Sequence, residues 1–323
     1  MANSTKQSER AAAIWNWNNE HDVPRDLLGY GPEPPSPKWP DSAKIALSFV
    51  LNYEEGGEYS VLLGDSHSES YLSESVGSAP TQQSRNMNIE SMYEYGSGAG
   101  VWRVLNVFAE AGVVGTVYGV GKALKSNLEV SRYIAAHGDR WIDYASLSIE
   151  QEREDFSRCA DIIQQQTGSP PKGWYIGRLS PHSHRVLYNL YHENGWPQPW
   201  LSDSYADDLP YWKELPAGCE NAGTEAQLVV PYSLDCNDFK YLMPNHWSST
   251  EDPERYLKDS FDELYREGEK GRPKMMSVGL HARISGRPGR IGAVRRFVQY
   301  VKNKPGRTEI ADHWRSAFPY KAA

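Results

Sequence analysis

Leu47-Ser48-Phe49-Val50-Leu51-Asn52-Tyr53-Glu54-Glu55-Gly56-Gly57-Glu58 is an apolar, strand-like run that ends in two adjacent carboxylates and a glycine pair. A core strand gains nothing from that ending, because neighbouring like charges repel and lose hydration at the edge of an apolar interior. Similar endings recur along the chain. Trp174-Tyr175-Ile176-Gly177-Arg178 delivers an arginine, Trp200-Leu201-Ser202-Asp203 an aspartate, and Met275-Met276-Ser277-Val278-Gly279-Leu280-His281 a histidine. Parallel strands closing toward a barrel bring such ends together at one mouth, where reactive groups collect.

Working outward, strands and helices alternate from Lys44 onward. Val101, Val104, Leu105 and Phe108 recur at helical spacing, and Gly112 stops that helix before the strand-like run 113–120. Ser148-Ile149-Glu150-Gln151 is a capping-box pattern for a helix with Phe156, Cys159, Ala160 and Ile163 on one face, closed by Gly168. A helix follows Pro181, and 227–232 reads as a strand. Asp252-Pro253 opens a helix with Asp as the cap, and Ile291, Val294, Phe297, Val298 and Val301 mark another. This alternation predicts the α/β class, with parallel strands and helices outside. Residues 1–43, with Pro32-Glu33-Pro34-Pro35-Ser36-Pro37, read as an extended N-terminal arm, and 44–323 as one catalytic domain.

Composition narrows the function classes. A net charge of −8 over 323 residues argues against a nucleic-acid or anionic-membrane partner. No segment approaches ~18 consecutive apolar residues, and the polar N-terminus lacks an apolar leader core. Three cysteines without paired spacing fit a reduced compartment, so the expectation is cytoplasmic, with secretion lacking a recognisable signal as the alternative. Most of the 11 Trp and 20 Tyr are expected in the core and in subunit contacts.

Glu54 and Glu55 cannot share one role, since neighbours on a strand point to opposite faces. One is expected to act as general base and the other to meet a ligand, metal or cation. His137-Gly138-Asp139-Arg140-Trp141-Ile142-Asp143 is a second dense cluster. His281 ends an apolar run, a placement suited to an imidazole that protonates a leaving nitrogen, and Arg178 is expected to hold a carboxylate base. His182 and His184 read as bland, and Gly286-Arg287-Pro288-Gly289-Arg290 as a turn with solvated arginines. There is no Gly-x-Ser-x-Gly elbow and no Cys-x-x-Cys pair.

At these residues the chain resembles the polysaccharide deacetylase, or NodB-homology, superfamily, and its allantoinase-like branch in particular. The resemblance runs from Pro24-Arg25-Asp26-Leu27-Leu28-Gly29-Tyr30-Gly31 through 52–58, Glu90-Ser91-Met92-Tyr93-Glu94-Tyr95-Gly96-Ser97, 140–144, 202–212 and Gly279-Leu280-His281 to Gly286-Arg287-Pro288. It implies a distorted (β/α) barrel and hydrolysis of a non-peptide amide. By that resemblance Glu54 takes the place of the catalytic aspartate, Glu55 that of the metal-binding aspartate and His137 that of the first metal histidine. Arg178 matches the arginine of an Arg-x-Pro motif, written here Arg178-Leu179-Ser180-Pro181, and His281 the catalytic acid.

The second metal histidine of the sugar deacetylases is Trp141 here, which leaves too few ligands for a stable zinc site. No metal cofactor is therefore expected. Tyr53, Trp141, Asp143, Asp203 and Trp212 are expected to bind substrate, a small-molecule ureide. The implied reaction opens allantoin to allantoate. One alternative is removal of acetyl groups from chitin oligosaccharides with a divalent metal such as zinc, and another is an inert carbohydrate-binding relative. Relatives of this branch tend to be tetramers, which implies a homo-oligomer. Two strands of such a barrel look nearly absent: 133–136 runs straight into the His137 loop, and only Pro305-Gly306 separates Lys304 from Arg307.

Overall fold

The computed structural model describes residues 25–132, 134–136, 140–244 and 247–309, with backbone alone at 131–132, 134–136 and 307–309. The strands are β1 (Ile45–Tyr53), β2 (His67–Ser68), β3 (Thr81–Gln82), β4 (Gly115–Gly119), β5 (Ile134–Ala136), β6 (Gly173–Trp174), β7 (Trp200–Leu201), β8 (Tyr211–Glu214), β9 (Ala226–Val229), β10 (Lys274–His281) and β11 (Arg307–Glu309). The helices are α1 (Met87–Tyr95), α2 (Val101–Ala111), α3 (Gly121–Ser126), α4 (Ile149–Thr167), α5 (Ser183–Glu193), α6 (Glu251–Glu269), α7 (Ala282–Ser285) and α8 (Pro288–Lys302).

One sheet runs in the order β10-β1-β4-β5-β6-β7-β9-β8, with β11 also on β1. All its pairings are parallel except β8 with β9. The alternation of strand and helix thus gives the expected α/β architecture. β1 is buried on both faces, as a strand in a covered parallel sheet should be. Ile45, Leu47, Phe49 and Leu51 enter the main core with Val104, Phe108 and Phe297 from the outer helices. On the other face Ala46 joins Trp39 and Met275, while Val50 meets Tyr118, Tyr175 and Tyr232.

The two strands that looked absent are both present. Ile134–Ala136 forms β5, bridging β4 to β6, and Arg307–Glu309 forms β11 against Ile45–Leu47. Parallel pairing is made by the backbone, so three residues can fill a sheet position without the apolar run that marks a strand in sequence. Of the arm, Trp39 is buried in the cluster under Ala46, and the Tyr30 hydroxyl donates to the Pro210 carbonyl at 2.6 Å.

Local chemistry explains most helix boundaries. Ser148 Oγ accepts from Gln151 N, Gln151 Oε1 accepts from Ser148 N, and Gly112 leaves α2 at φ 62°. The expected cap of α6 is corrected. Asp252 lies inside the helix and reaches back to accept from the Ser248 and Ser249 amides, each at 2.8 Å. Among the described residues no helix is long and apolar enough to cross a membrane.

Candidate active site

β1 and β10 lie side by side in parallel, with Asn52 opposite His281, so Glu54 and His281 emerge at the same edge of the sheet. Glu54 is 1% exposed and His281 5%. Glu54 Oε1 lies 3.6 Å from His281 Nε2, and Glu54 Oε2 accepts from Arg283 Nη1 at 2.7 Å. Arg283 stands in α7, which begins directly after His281.

The imidazole is oriented from behind. Asp238 opens the short helical turn Asp238–Leu242. Its Oδ1 lies 2.6 Å from His281 Nδ1, and its Oδ2 accepts from the amides of His281 at 2.7 Å and Ser285 at 3.1 Å. Nε2 is therefore left facing Glu54. Burial works against a charged imidazole, but the carboxylates of Glu54 and Asp238 outweigh it and push His281 up to about 9. The ring is an acid at neutral pH.

Glu55 turns away from Glu54, as alternation requires. Its Oε2 accepts from the Glu54 amide at 3.0 Å and its Oε1 from the Arg283 amide at 3.2 Å. Burial, assisted by the charge of Glu54 and opposed by Arg283, raises Glu55 to about 7. A π-helical turn, Gly96–Gly100, joins α1 to α2 and makes this packing possible. A Cβ on Gly96 would stand 2.2 Å from Glu55 Oε1, and one on Gly100 2.1 Å from the Ala282 carbonyl oxygen.

Arg178 is not the partner of Glu54. Its Nη2 lies 3.4 Å from Glu69 Oε2, and its guanidinium stacks 4.0 Å from the Trp141 ring. The run ending in Arg178 continues past the two-residue β6, and the loop carries the cation toward Trp141 and Tyr71. Trp141 is buried beside the site, 5.8 Å from the Arg283 guanidinium, and its amide donates to the Gly57 carbonyl at 2.9 Å.

Four residues expected to bind substrate have other partners. Tyr53 is fully buried with its hydroxyl 2.6 Å from Ser97 Oγ, because alternation sends it into the core when Glu54 faces the site. Asp143 caps the turn at 144–146 by accepting from the Ala145 amide. Asp203 accepts from the Ile176 and Gly177 amides, tying down the loop after β6. Trp212 packs in the cluster of Trp39 and Met275 near the opposite, N-terminal ends of β1 and β10. His137 lies outside the described residues.

The sequence reading missed Arg283, Asp238 and Tyr93. Arg283 sits two residues past the histidine, where strand-end logic could have placed it. Asp238 carries no local signal. Tyr93, on α1, lies with its ring 4.4 Å from the Arg283 guanidinium.

The described donors do not suit a divalent cation. Both Glu55 oxygens accept backbone amides, Glu54 is paired with a guanidinium, and no group of three His, Cys, Asp or Glu is arranged to hold an ion among the described residues. What remains is a carboxylate, a protonated imidazole held by a second carboxylate, and a buried arginine. That set can activate water and protonate a leaving group.

The chain is similar to known proteins in both sequence and fold. Residues 82–190 match the sequence model of the polysaccharide deacetylase family. The structure superimposes on the PuuE allantoinase with a TM-score of 0.86 at 43% identity, covering 93% of this chain and 100% of that one. A Pseudomonas aeruginosa protein described as a polysaccharide deacetylase gives 0.85 at 45% identity over the same shares. A curated Schizosaccharomyces pombe protein, also described as a polysaccharide deacetylase, is 38% identical over 316 residues, 92% of this chain and 99% of its own. On identity of that extent, the chain belongs to the polysaccharide deacetylase family of hydrolases.

Proposed function

We propose that this hydrolase opens the hydantoin ring of allantoin to allantoate without a metal. The observation that carries the reading is the carboxylate–imidazole pair, Glu54 Oε1 at 3.6 Å from His281 Nε2, with His281 fixed by Asp238. The likeness to the PuuE allantoinase supports the choice of substrate. Glu54, held by Arg283, takes a proton from water as the oxygen attacks the ring carbonyl. His281 Nε2 then gives its proton to the departing ring nitrogen, and the carbon–nitrogen bond breaks. Each proton transfer of this kind contributes roughly 10²–10⁴ in rate. The same reading takes the sheet as a distorted barrel and the protein as a cytoplasmic homo-oligomer.

The family's other chemistry, removal of acetyl groups from an N-acetylated sugar, is the competing outcome. A substrate panel run with and without exhaustive chelation separates the two. Allantoin turnover that survives chelation is the expected result. Acetate release from chitotetraose, lost on chelation and restored by zinc, would overturn the reading.

A further inference from the structure

Arg283 is 3% exposed, and its guanidinium uses one corner, with Nη1 donating to Glu54. Nε and Nη2 are enclosed and have no hydrogen-bond partner among the described residues. Those two donors lie on one edge of the guanidinium plane, the edge that grips a two-oxygen group side-on. Enclosing charged donors without acceptors costs more than leaving a neutral group unpaired, so a fold keeps them only for a purpose. Tyr93 adds a second sign: its hydroxyl is also enclosed and has no partner among the described residues, on the ring stacked against the same guanidinium.

We propose that the Nε/Nη2 edge of Arg283, with the Tyr93 hydroxyl beside it, receives the two geminal oxygens created when the amide is hydrolysed. It therefore binds the tetrahedral intermediate and the carboxylate product in preference to the amide. This rests on the hydrolase reading above but not on allantoin being the amide. An amide presents one carbonyl oxygen and leaves half the edge unused. When water adds, its oxygen bonds to the carbonyl carbon, its proton passes to Glu54, and the carbonyl π pair moves onto the first oxygen. Two oxygens then stand on one carbon, and both donors are engaged only at that stage. Collapse returns the pair and breaks the carbon–nitrogen bond, and the nitrogen takes the proton of His281 Nε2. The acid formed ionises to solvent, and the Glu54 proton returns to His281.

Arg283→Lys tests this, because lysine keeps the charge near Glu54 and removes the planar two-donor edge. Steady-state kinetics use whichever amide the wild type hydrolyses, thermal melting reports folding, and calorimetric titration uses acetate and allantoate. The expected result is kcat reduced at least about 100-fold with KM within about threefold, and carboxylate affinity at least about tenfold weaker. A variant that keeps kcat within threefold, or binds both carboxylates as tightly as wild type, overturns the proposal. Should Arg283→Lys fail to fold, the wild type decides. Binding of acetate at least about tenfold tighter than acetamide supports the edge, and equal affinity refutes it. Acetate release from chitotetraose with no allantoin turnover, together with the same losses in the variant, would remove the allantoinase reading and leave this one standing.

Discussion

Asp238→Asn is the sharpest probe of the acid. Asp238 accepts on both oxygens, from His281 Nδ1 on one side and from the His281 and Ser285 amides on the other. An amide accepts at one end only. Either the imidazole or the two backbone donors must lose their acceptor, which costs about 1–3 kcal/mol of stability. The charge of Asp238 also helps hold His281 at about 9. Removing a contacting carboxylate lowers an imidazole by about two units, within the usual 1–3, to about 7. At pH 8 the protonated fraction then falls from about 90% to about 10%, while at pH 6 it stays near 90%.

The alkaline limb of kcat/KM should accordingly shift from about 9 to about 7, with a deficit at pH 8 about tenfold larger than at pH 6. Rate measurements from pH 5.5 to 10, on whichever amide the wild type hydrolyses, read this directly. An alkaline limb that stays near 9 in the variant would refute the claim that Asp238 and Glu54 keep His281 protonated.

Glu54→Gln removes the proposed base while keeping the side chain's shape, so turnover should fall by roughly 10²–10⁴; residual kcat within tenfold of wild type would reassign the base. Gly96→Ala has helical dihedrals (φ −56°, ψ −50°) and would gain about 1 kcal/mol of helix propensity. Its Cβ nevertheless lands 2.2 Å from Glu55 Oε1, so a net loss of about 1–3 kcal/mol in denaturant melts is expected, and a gain would contradict the packing. Glu55 and His281 both have folded-state values raised above their ordinary ones, to about 7 and about 9. Their contributions are complete below about 4.5 and 6.5 and are lost as pH rises through about 7 and about 9, so thermal stability should decline from pH 5 to 9.5. Glu55→Gln should flatten the part between pH 5 and 7, and an unchanged slope would remove Glu55 from the account.

The α/β class was legible because its evidence is periodic: the run at 47–53, the helix stopped by Gly112 and the capping box at Ser148 depend on neighbours in sequence. β5 and β11 were not, since a three-residue strand is defined by the backbone beside it. The same division runs through the site. Glu54 and His281 were readable as polar residues ending apolar strands. Asp238 was not, because its link to His281 spans 43 residues of chain and leaves no pattern. Trp212 and Tyr53 misled for a common reason: aromatic side chains near motif residues read alike whether they face a cleft or the core.

β1 is bonded along nearly its whole length on two sides, by β10 on one and by β11 then β4 on the other. Its amides can exchange with solvent only when the sheet itself comes apart, so Ala46–Leu51 should be among the slowest-exchanging protons of the molecule. Glu54, the proposed base, thus hangs from the last segment to open. Local fraying that loosens surface loops leaves its aim unchanged, and its geometry is lost only when the whole domain unfolds.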